Sequence, residues 1–258
     1  MKGRAGADAA SSSAVQNGMS PHPATTALPR RMVLQAGANQ LGLFLAPAQM
    51  DALLAYLDLI EKWNKVYNLT ALRDPATMLT HHLLDSLAVV APLRQRLAAM
   101  AYSRDGADRQ PTPGPLLRLL DVGSGAGLPG IVIAICCPEV TVDCVDTVAK
   151  KAAFINQVAA SLTLSNLRGL HDRVENLTDK YPVISARAFA SLADFVRRSV
   201  SALAADGIWL AMKGKHPAEE LAALRLEQPA VEVFHVEQLA VPGLEAQRCI
   251  VWMRKMTK

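Results

Sequence analysis

The sequence predicts an α/β protein in which a mainly parallel, doubly wound sheet follows an N-terminal helical extension. From residue 116 onward, short apolar runs alternate with segments of helical periodicity. A glycine-rich turn directly follows the first of these runs, and the residues before 100 repeat apolar side chains at helical spacing. Strands separated by helices imply right-handed crossovers, and therefore parallel neighbours in the sheet.

The composition is that of a globular chain. Of the 258 residues, 51% are hydrophobic and 19% are charged. This supplies a sizeable core and excludes a wholly disordered chain. The length fits one or two domains. No apolar run reaches the roughly 18 residues that a membrane helix needs, so we expect no membrane partner.

The four cysteines are Cys136, Cys137, Cys144 and Cys249, and they form no Cys-x-x-Cys pair and no cluster with zinc spacing. We therefore expect buried reduced thiols, a cytoplasmic location and no metal site. The net charge of +4 is compatible with a nucleic-acid partner without requiring one. No long heptad pattern occurs, so a monomer is the default expectation.

Three segments precede the predicted sheet. Residues 1–30 are rich in Ala, Ser, Pro and Gly and are predicted to form a disordered tail. Residues 31–100 are predicted to form a helical cap, which includes a helix over residues 81–93. Residues 101–115 contain Pro and Gly among polar residues and are predicted to form a loop, which leaves 116–258 as the domain that carries the sheet.

Strands and helices are predicted to alternate after residue 115. We predict strands at residues 116–122, 140–146, 167–170, 181–188, 207–213, 231–239 and 248–255. We predict helices at residues 128–137, 149–162, 192–203 and 216–226. Because the last two strands are close in sequence, we expect them to form an antiparallel edge of the sheet.

The most informative segment is the turn DVGSGAGLPG, between the first predicted strand and the first helix after it. Gly123, Gly125 and Gly127 allow a sharp turn and the close approach of a ligand, and the helix start offers free N–H groups. The spacing of Gly125, Gly127 and Gly130 also fits a dinucleotide motif, which alone is a weak signal. Asp121 precedes the turn and suits an ammonium group better than a pyrophosphate, which favours S-adenosylmethionine.

Asp146 ends the next predicted strand, 23 residues after Gly123. This is close to the spacing of roughly 20 residues at which an acidic side chain receives the ribose hydroxyls of a bound nucleotide. The alternative is a carboxylate that caps the following helix. The position at a strand end favours the role in ligand binding.

Further candidates follow the third, fourth and fifth predicted strands, at the edge where the glycine turn lies. Val174 is expected to cover an adenine ring with Glu175 close by, unless the pair only forms a turn. Arg187 ends an apolar strand, so it must find an ionic partner such as Glu175 or face a cleft that holds a ligand carboxylate or an RNA phosphate. Lys213 occupies a similar rim position, or else a solvated surface.

Asn64 and Asn68, in the segment KWNKVYNLT, are four residues apart and share one face of a predicted helix. Two amides on one face would either read the edge of a base or cap the end of the helix. Trp63 and Tyr67 share another face, and we expect them to pack in the core.

Five motifs, in this order, resemble the small-subunit ribosomal RNA guanine-N7 methyltransferase family, also called glucose-inhibited division protein B: EKWNKVYNLTALRDP, HHLLDSL, LLDVGSGAGLPGIVIAI, DRVENL and SARAFASL. The resemblance runs from about residue 41 to about residue 255. It implies a Rossmann-like class I methyltransferase fold with an N-terminal helical cap. It also implies methyl transfer from S-adenosylmethionine to N7 of one guanine in 16S ribosomal RNA.

The resemblance extends to individual positions. On the cofactor side, the matched residues are Gly123, Leu128, Val174, Glu175 and Arg187. Arg187 is the arginine of the RAFA motif, at the mouth that cofactor and substrate share. The resemblance also favours a substrate-side role for Asn64 and Asn68.

The implied reaction suits the residues that the sequence offers. Guanine N7 carries a lone pair and no proton, so an in-line displacement needs no general base, and the sequence has no obvious base or activated nucleophile. Catalysis is then expected from holding N7 and the methyl group in line, about 3 Å apart. Because A-form RNA hides N7, we expect an unstacked or loop guanine in 16S ribosomal RNA, either free or within the small ribosomal subunit.

Three other functions are open from the residues alone. A nucleotide-dependent oxidoreductase would use the same turn, but it needs a catalytic pair such as Tyr-x-x-x-Lys, which we do not find. A non-catalytic RNA-binding or ribosome-assembly factor would be expected to have a damaged turn or to lack Asp146, and both are intact. A methyltransferase with a protein or small-molecule substrate is distinguished only by the resemblance.

Overall fold

The computed structural model of the chain describes residues 23–105 and 117–256. Its strands are β1 (Leu117–Val122), β2 (Val140–Asp146), β3 (Leu167–His171), β4 (Tyr181–Arg187), β5 (Leu203–Lys213), β6 (Val231–Leu239) and β7 (Arg248–Lys255). They form one sheet in the order β3-β2-β1-β4-β5-β7-β6. The neighbours from β3 to β5 are parallel, and β7 lies antiparallel between β5 and β6. The predicted sheet and its antiparallel edge are confirmed.

Helices precede the sheet and connect its strands. Those before the sheet are α1 (Pro23–Gln40), α2 (Pro47–Tyr67), α3 (Pro75–Met78), a π-helical turn (Leu79–Leu84), α4 (Asp85–Leu87) and α5 (Val90–Asp105). Those between strands are α6 (Gly130–Cys136), α7 (Ala149–Ser161), a 3-10 turn (Val174–Asn176), α8 (Leu192–Ser199) and α9 (Ala218–Glu227). α6 and α9 begin two residues later than predicted, because Pro129 and Pro217 occupy the cap positions before them.

The side chains of each strand alternate between two cores. Leu119 belongs to the core that contains residues of α2, α6 and α7, whereas the adjacent Leu120 belongs to the core formed with α8 and α9. Helices therefore cover both faces of the sheet. This is the doubly wound arrangement that the alternation of strands and helices predicts.

α2 packs against α6 and α7 through one apolar stripe. Leu53, Leu57 and Ile60 on this stripe have no exposed surface, as their spacing predicts. From the same helix, the hydroxyl of Tyr56 donates a hydrogen bond of 2.7 Å to the carbonyl of Ala126 in the glycine turn. The helical layer thus shares a core with the sheet and braces the turn from outside.

The predicted disordered tail is wrong for residues 23–30, which belong to α1. Arg30 forms ion pairs with Asp58 at 3.0 Å and with Glu61 at 2.8 Å, both on α2. Further along α1, leucine and alanine side chains are fully buried. Few and small apolar residues form this buried side, so the sequence shows no clear period. Residues 1–22 lie outside the described part of the chain.

The helix predicted over residues 81–93 is divided. The π-helical turn and α4 come first, and α5 begins only at Val90. α5 then continues to Asp105, five residues into the predicted loop 101–115. Ala and Arg in this stretch favour helix, and the helix-breaking Pro and Gly residues come only after it. The rest of that loop, residues 106–115, lies outside the described residues.

The boundary between α8 and β5 also differs from the prediction. The helix predicted over residues 192–203 ends at Ser199, and β5 begins at Leu203, four residues before its predicted start. The backbone N–H of Tyr181 donates to the carbonyl of Ala202 at 2.8 Å. This pairing with β4 brings the chain into the sheet early, although its Ala-rich sequence favours helix.

All four cysteines are free, and all four are buried, as expected. Burial raises the pKa of the Cys136 thiol to about 12, so this side chain stays protonated and unreactive. Among the helices of the described residues, none combines the length and the apolar character needed to cross a bilayer.

β3 lies so close to α7 that Gly169 leaves no room for a side chain. A Cβ at this position would be 2.5 Å from the carbonyl oxygen of Ala152 and 3.0 Å from the Cβ of Ile155. We expect Gly169→Ala to lower the free energy of unfolding by roughly 1–3 kcal/mol, because a backbone carbonyl cannot move without shifting α7. Urea denaturation measures the change. In the control Gly214→Ala, the nearest atom is 4.0 Å away, so a change within about 0.5 kcal/mol is expected. Equal stabilities of the two variants would contradict the packing argument.

Candidate active site

Two crevices meet at the carboxyl ends of the parallel strands. The first crevice has a volume of about 400 Å³, and its lining includes Gly123, Asp146, Val174, Glu175 and Arg187. The second crevice has a volume of about 430 Å³, and its lining includes His81, His82, Asp85, Arg187, Lys213 and Arg248. Arg187 and Ala188 line both. Both volumes fall within the usual range of small-molecule sites, roughly 300–1,000 Å³.

The glycine turn between β1 and α6 uses backbone conformations that favour glycine. The φ angle is +64° at Gly123, +59° at Gly125 and +89° at Gly127. Only the first of these three lines the first crevice, and the other two form the turn behind it. A Cβ on Gly127 would lie 2.3 Å from the Cδ1 of Ile131. This glycine therefore also permits the close approach of α6.

The position of Asp146 fits both roles predicted for it, which are binding a ligand at the strand end and capping the start of α7. Its Oδ2 accepts a hydrogen bond from the N–H of Gly125 at 3.0 Å, and its Oδ1 accepts one from the N–H of Val148 at 2.9 Å, just before α7. Lys151 lies 3.5 Å from the same carboxylate. The side chain is nearly buried, yet it lines the first crevice. It therefore joins the glycine turn to β2 and still presents a carboxylate to the crevice.

Asp121 does not line the first crevice, so a direct contact of its carboxylate with an ammonium group stays a prediction that this arrangement does not support. The side chain is fully buried. Its Oδ2 accepts a hydrogen bond from the N–H of Gly130 at 3.1 Å, and its Oδ1 accepts one from the hydroxyl of Ser185 at 2.7 Å. Asp121 thus anchors the start of α6. Burial raises the pKa of this carboxyl to about 6, although both hydrogen bonds lower it.

Val174 and Glu175 lie in the first crevice, whereas Leu128 does not. Val174 opens the 3-10 turn after β3 and is almost buried. Glu175 is paired with Arg198 at 3.4 Å, so it is not the ionic partner of Arg187. Leu128 packs in the core that contains α6. The predicted cofactor residues that share the crevice are therefore Gly123, Asp146, Val174, Glu175 and Arg187.

Arg187 is held by the helical layer. Its Nη1 donates to the carbonyl of His81 at 3.0 Å and to Oδ2 of Asp85 at 3.2 Å. The other oxygen of Asp85 accepts a hydrogen bond of 2.8 Å from Nε of Arg248. The sequence offered an ionic partner or a cleft as alternatives for Arg187. In the structure Arg187 has both, because it pairs with Asp85 and also lines the two crevices.

Lys213 lies at the rim of the second crevice, but its charge is compensated. Its Nζ is 2.7 Å from Oε2 of Glu220 and donates to the carbonyl of Phe189 at 3.3 Å. Only 11% of its side chain is exposed, so the solvated surface position is wrong.

Asn64 and Asn68 are structural in this conformation, and neither lines a crevice. The buried amide of Asn64 donates to the carbonyl of Leu72 at 2.9 Å and accepts from the N–H of Thr70 at 2.9 Å. Asn68 ends α2 with a φ of +49° and accepts a hydrogen bond from Arg73. The loop after α2 uses both polar atoms of Asn64, whereas Asn68 is exposed, so a substrate-side role for these two amides stays a prediction. Asn64 nevertheless positions Leu72, which lines the second crevice.

His82 lines the second crevice as a neutral, buried side chain. Burial, followed by the nearby positive charge of Arg187, lowers its pKa to about 4. Its Nε2 forms a hydrogen bond of 3.0 Å with Oγ1 of Thr70, and its Nδ1 has no partner among the described residues. Thr70 in turn accepts the N–H of Leu72 at 3.2 Å.

Sequence reasoning missed Asp85, Arg248 and His82 as residues of the site. A signal was present for two of them, since Asp85 and His82 belong to the HHLLDSL motif. An acidic residue within an apolar helical segment needs a partner, and its burial at 3% exposure could have been inferred. Arg248 carries no comparable sequence signal, because it begins a strand near the surface.

The described residues contain no group of three or more His, Cys, Asp or Glu side chains that could hold a metal ion. They do suit a nucleoside, because a turn of positive φ and a carboxylate at the end of β2 face one crevice. This turn, that carboxylate and the strand order with an inserted antiparallel β7 define a class I S-adenosylmethionine-dependent methyltransferase. A family model described as rRNA small subunit methyltransferase G matches residues 49–251. The chain belongs to this family, and S-adenosylmethionine is its methyl donor.

Relatives of this family cover most of the chain. A ribosomal RNA small subunit methyltransferase G of Albidiferax ferrireducens is 66% identical over 223 residues, which are 86% of this chain and 96% of that protein. One of Paracidovorax citrulli is 62% identical over 221 residues, which are 86% of this chain and 88% of that protein. Among solved structures, a SAM-dependent methyltransferase from Aquifex aeolicus is 15% identical, with a TM-score of 0.47 over 71% of this chain and 99% of that chain.

We expect Gly123→Val to abolish binding of S-adenosylmethionine. The φ of +64° strains a β-branched residue, and the added side chain would enter the first crevice near Phe189. Isothermal titration calorimetry measures the affinity, and thermal melting verifies folding. The matched control is Gly42→Val, which has a φ of +69° but nothing within 4 Å of its Cβ. Wild-type affinity in Gly123→Val, or an equal loss in Gly42→Val, would contradict the prediction.

The raised pKa of Asp121, about 6, makes stability depend on pH. Between the ordinary pKa of about 3.9 and this value, the native protein holds a proton that the unfolded chain has released. The stabilisation that this proton on Asp121 gives to the native state is therefore complete below about pH 4, and it disappears as the pH rises through about 6. Because asparagine imitates the protonated acid, we expect the wild type to lose roughly 1–3 kcal/mol relative to Asp121→Asn between about pH 4 and pH 7. Urea denaturation across this range tests it, and parallel stability curves would contradict it.

Proposed function

We propose that the chain transfers a methyl group from S-adenosylmethionine to N7 of a guanine in 16S ribosomal RNA, by in-line displacement without a general base. Membership of the rRNA small subunit methyltransferase G family supports the RNA substrate. The names of the relatives, which are ribosomal RNA small subunit methyltransferases, support it as well. The proposed substrate is in the cytoplasm, where we expect the enzyme to act as a monomer.

The single observation that carries this proposal is the junction of the two crevices at Arg187 and Ala188. Crevices that share lining residues are neighbours, and methyl transfer requires the donor and the target base to lie next to each other. We assign the methyl donor to the first crevice and the target guanine to the second. Orienting the reacting atoms in this way supplies several kcal/mol of the barrier reduction, of the order of 7–11 kcal/mol at best.

Residues of the first crevice are suited to the parts of the donor. The open backbone at Gly123 permits close approach of the donor, and Asp146 accepts hydrogen bonds from ribose hydroxyls. Val174 covers the adenine ring on its apolar side, with Glu175 next to it. Arg187 lies at the mouth that the two crevices share, where a guanidinium suits an anionic group of either ligand. S-adenosylmethionine supplies a methyl group made electrophilic by its sulfonium.

The second crevice is consistent with a reaction that removes no proton. The carboxylate of Asp85 is engaged by two guanidinium groups. His82 is neutral, since its pKa is lowered to about 4, but its Nε2 is engaged by Thr70. Guanine N7 carries no proton, so neither group has to act as a base, and the chain contributes orientation and exclusion of water.

Basic residues favour an RNA substrate for the second crevice. Arg187 and Arg248 line it, and Lys215 lies in the loop after β5. In double-stranded RNA, N7 lies at the bottom of a deep and narrow groove. The target guanine must therefore be unstacked or in a loop to enter the crevice. A non-catalytic assembly factor would not need a donor crevice with an intact glycine turn beside Asp146.

The proposal is tested by incubating the protein with methyl-labelled S-adenosylmethionine and either free 16S ribosomal RNA or small ribosomal subunits. We expect the label on a single guanine, and reduction followed by aniline should cleave the RNA there, because N7-methylguanine is labile. The variant Gly123→Val serves as the control that lacks donor binding. Label on another atom, on a ribosomal protein or on neither substrate would contradict the proposal. The comparison of free RNA with subunits identifies the substrate's assembly state.

A further inference from the structure

Asp85 is a buried carboxylate that joins two arginines from distant parts of the chain. Its side chain is 4% exposed, and it lies 3.2 Å from Nη1 of Arg187 and 2.8 Å from Nε of Arg248. The three residues come from the start of α4, the end of β4 and the start of β7. The contact therefore fixes the helical layer against the edge of the sheet where the two crevices meet.

Both arginines keep N–H donors that this contact does not use. The hydrogen bonds of Arg187 run through Nη1, and those of Arg248 run through Nε and Nη1. Within the described chain, their remaining donors, which include Nη2 of each, make no hydrogen bond. Each side chain is 22% exposed, and both line the second crevice. Asp85 thus holds one side of each guanidinium, while the free donors of Arg187 and Arg248 remain available to a ligand.

The charge of this cluster suits an anion. One carboxylate and two guanidinium groups leave a net charge of +1, and the neighbouring Lys213 is already compensated by Glu220 at 2.7 Å. The excess positive charge therefore lies on the two arginines. A planar guanidinium with free donors matches the oxygens of a phosphate, and it binds them in a defined orientation.

We propose that Asp85 is a positioning residue, which holds Arg187 and Arg248 so that their free donors bind a phosphate group of the target nucleotide. This inference rests on the proposed function, because it requires an RNA in the second crevice. It extends that function by assigning the contact that fixes the backbone of the target nucleotide. The base can then reach the boundary between the crevices in one orientation.

A similar arrangement elsewhere in the chain provides a control. Asp143 has a side chain that is 2% exposed and bridges Arg118 and Arg168, each at 2.9 Å. It also accepts a hydrogen bond from Tyr181. None of these residues lines either crevice. Asp143 is therefore a buried aspartate between two arginines that lies away from both crevices, and it serves as the example of a purely structural role.

The substitution Asp85→Asn distinguishes positioning from simple electrostatics. It raises the net charge of the cluster from +1 to +2, so an effect of charge alone would strengthen RNA binding. Asparagine offers an oxygen to one arginine but an N–H to the other, so the second guanidinium loses its anchor. If Asp85 acts by positioning the arginines, Asp85→Asn lowers kcat/KM for the RNA despite the added positive charge.

The experiment compares Asp85→Asn and Arg248→Gln with the controls Asp143→Asn and Arg254→Gln. Arg254 is also on β7 and is paired with Glu232, away from both crevices. Measurements are kcat and KM for the RNA, donor affinity by calorimetry, thermal stability, and RNA binding across a salt series. RNA binding is measured directly and does not require turnover, so it tests the inference even if the methylated atom differs from N7.

We expect Asp85→Asn to lower kcat/KM for the RNA roughly tenfold or more, as the loss of an oriented charged contact of about 1.4 kcal/mol implies. Arg248→Gln should raise KM for the RNA with donor affinity unchanged, and reduce the salt slope of RNA binding by about one. The two control variants should lose stability only.

An unchanged or higher kcat/KM for the RNA in Asp85→Asn, or an unchanged salt slope in Arg248→Gln, would overturn the proposal. An equal fall of kcat/KM in Asp143→Asn would reduce Asp85 to a structural contact. If Asp85→Asn does not fold, Arg248→Gln decides.

Discussion

Two buried carboxylates hold the glycine turn at its two ends, and the geometry of the site depends on them. Asp146 accepts the N–H of Gly125 from the end of β2, and Asp121 accepts the N–H of Gly130 from the end of β1. Between these two points the backbone passes through conformations that cost free energy for residues other than glycine. The turn keeps this shape because both of its ends are bonded to strands of the sheet, while a tyrosine hydroxyl of α2 supports its middle.

Local patterns were sufficient for most of the sheet. The bounds of β2, β6 and β7 agree with the prediction, because apolar runs bounded by turn residues define each of them. Tertiary contacts decided the remaining boundaries. β5 begins early because β4 offers it hydrogen-bond partners. α1 forms on residues of weak periodicity because Leu34 and Ala38 are buried against the other helices, with Arg30 paired to α2 beside them. No local pattern contains such information.

The same distinction applies to the site. Gly123 and Asp146 could be placed together from the sequence, since the carboxyl ends of parallel strands meet at one edge. The pairs formed by Asp85 span 102 and 163 residues, which no spacing within a motif can indicate. Asn64 illustrates a contact that a local pattern omits. Its amide is placed well to read a base on an isolated helix, but the loop after that helix folds back and uses both of its polar atoms.

Arg187 lines two cavities at once, so its rotamer is a property that both cavities share. A ligand in one cavity that alters the preferred rotamer of Arg187 also changes the free energy with which the other cavity binds its ligand. Thermodynamic linkage requires the second ligand to alter the affinity for the first by the same factor. Loss of the methyl group converts a cationic donor into a neutral product, so each turnover changes the electrostatic environment of a side chain that both cavities share.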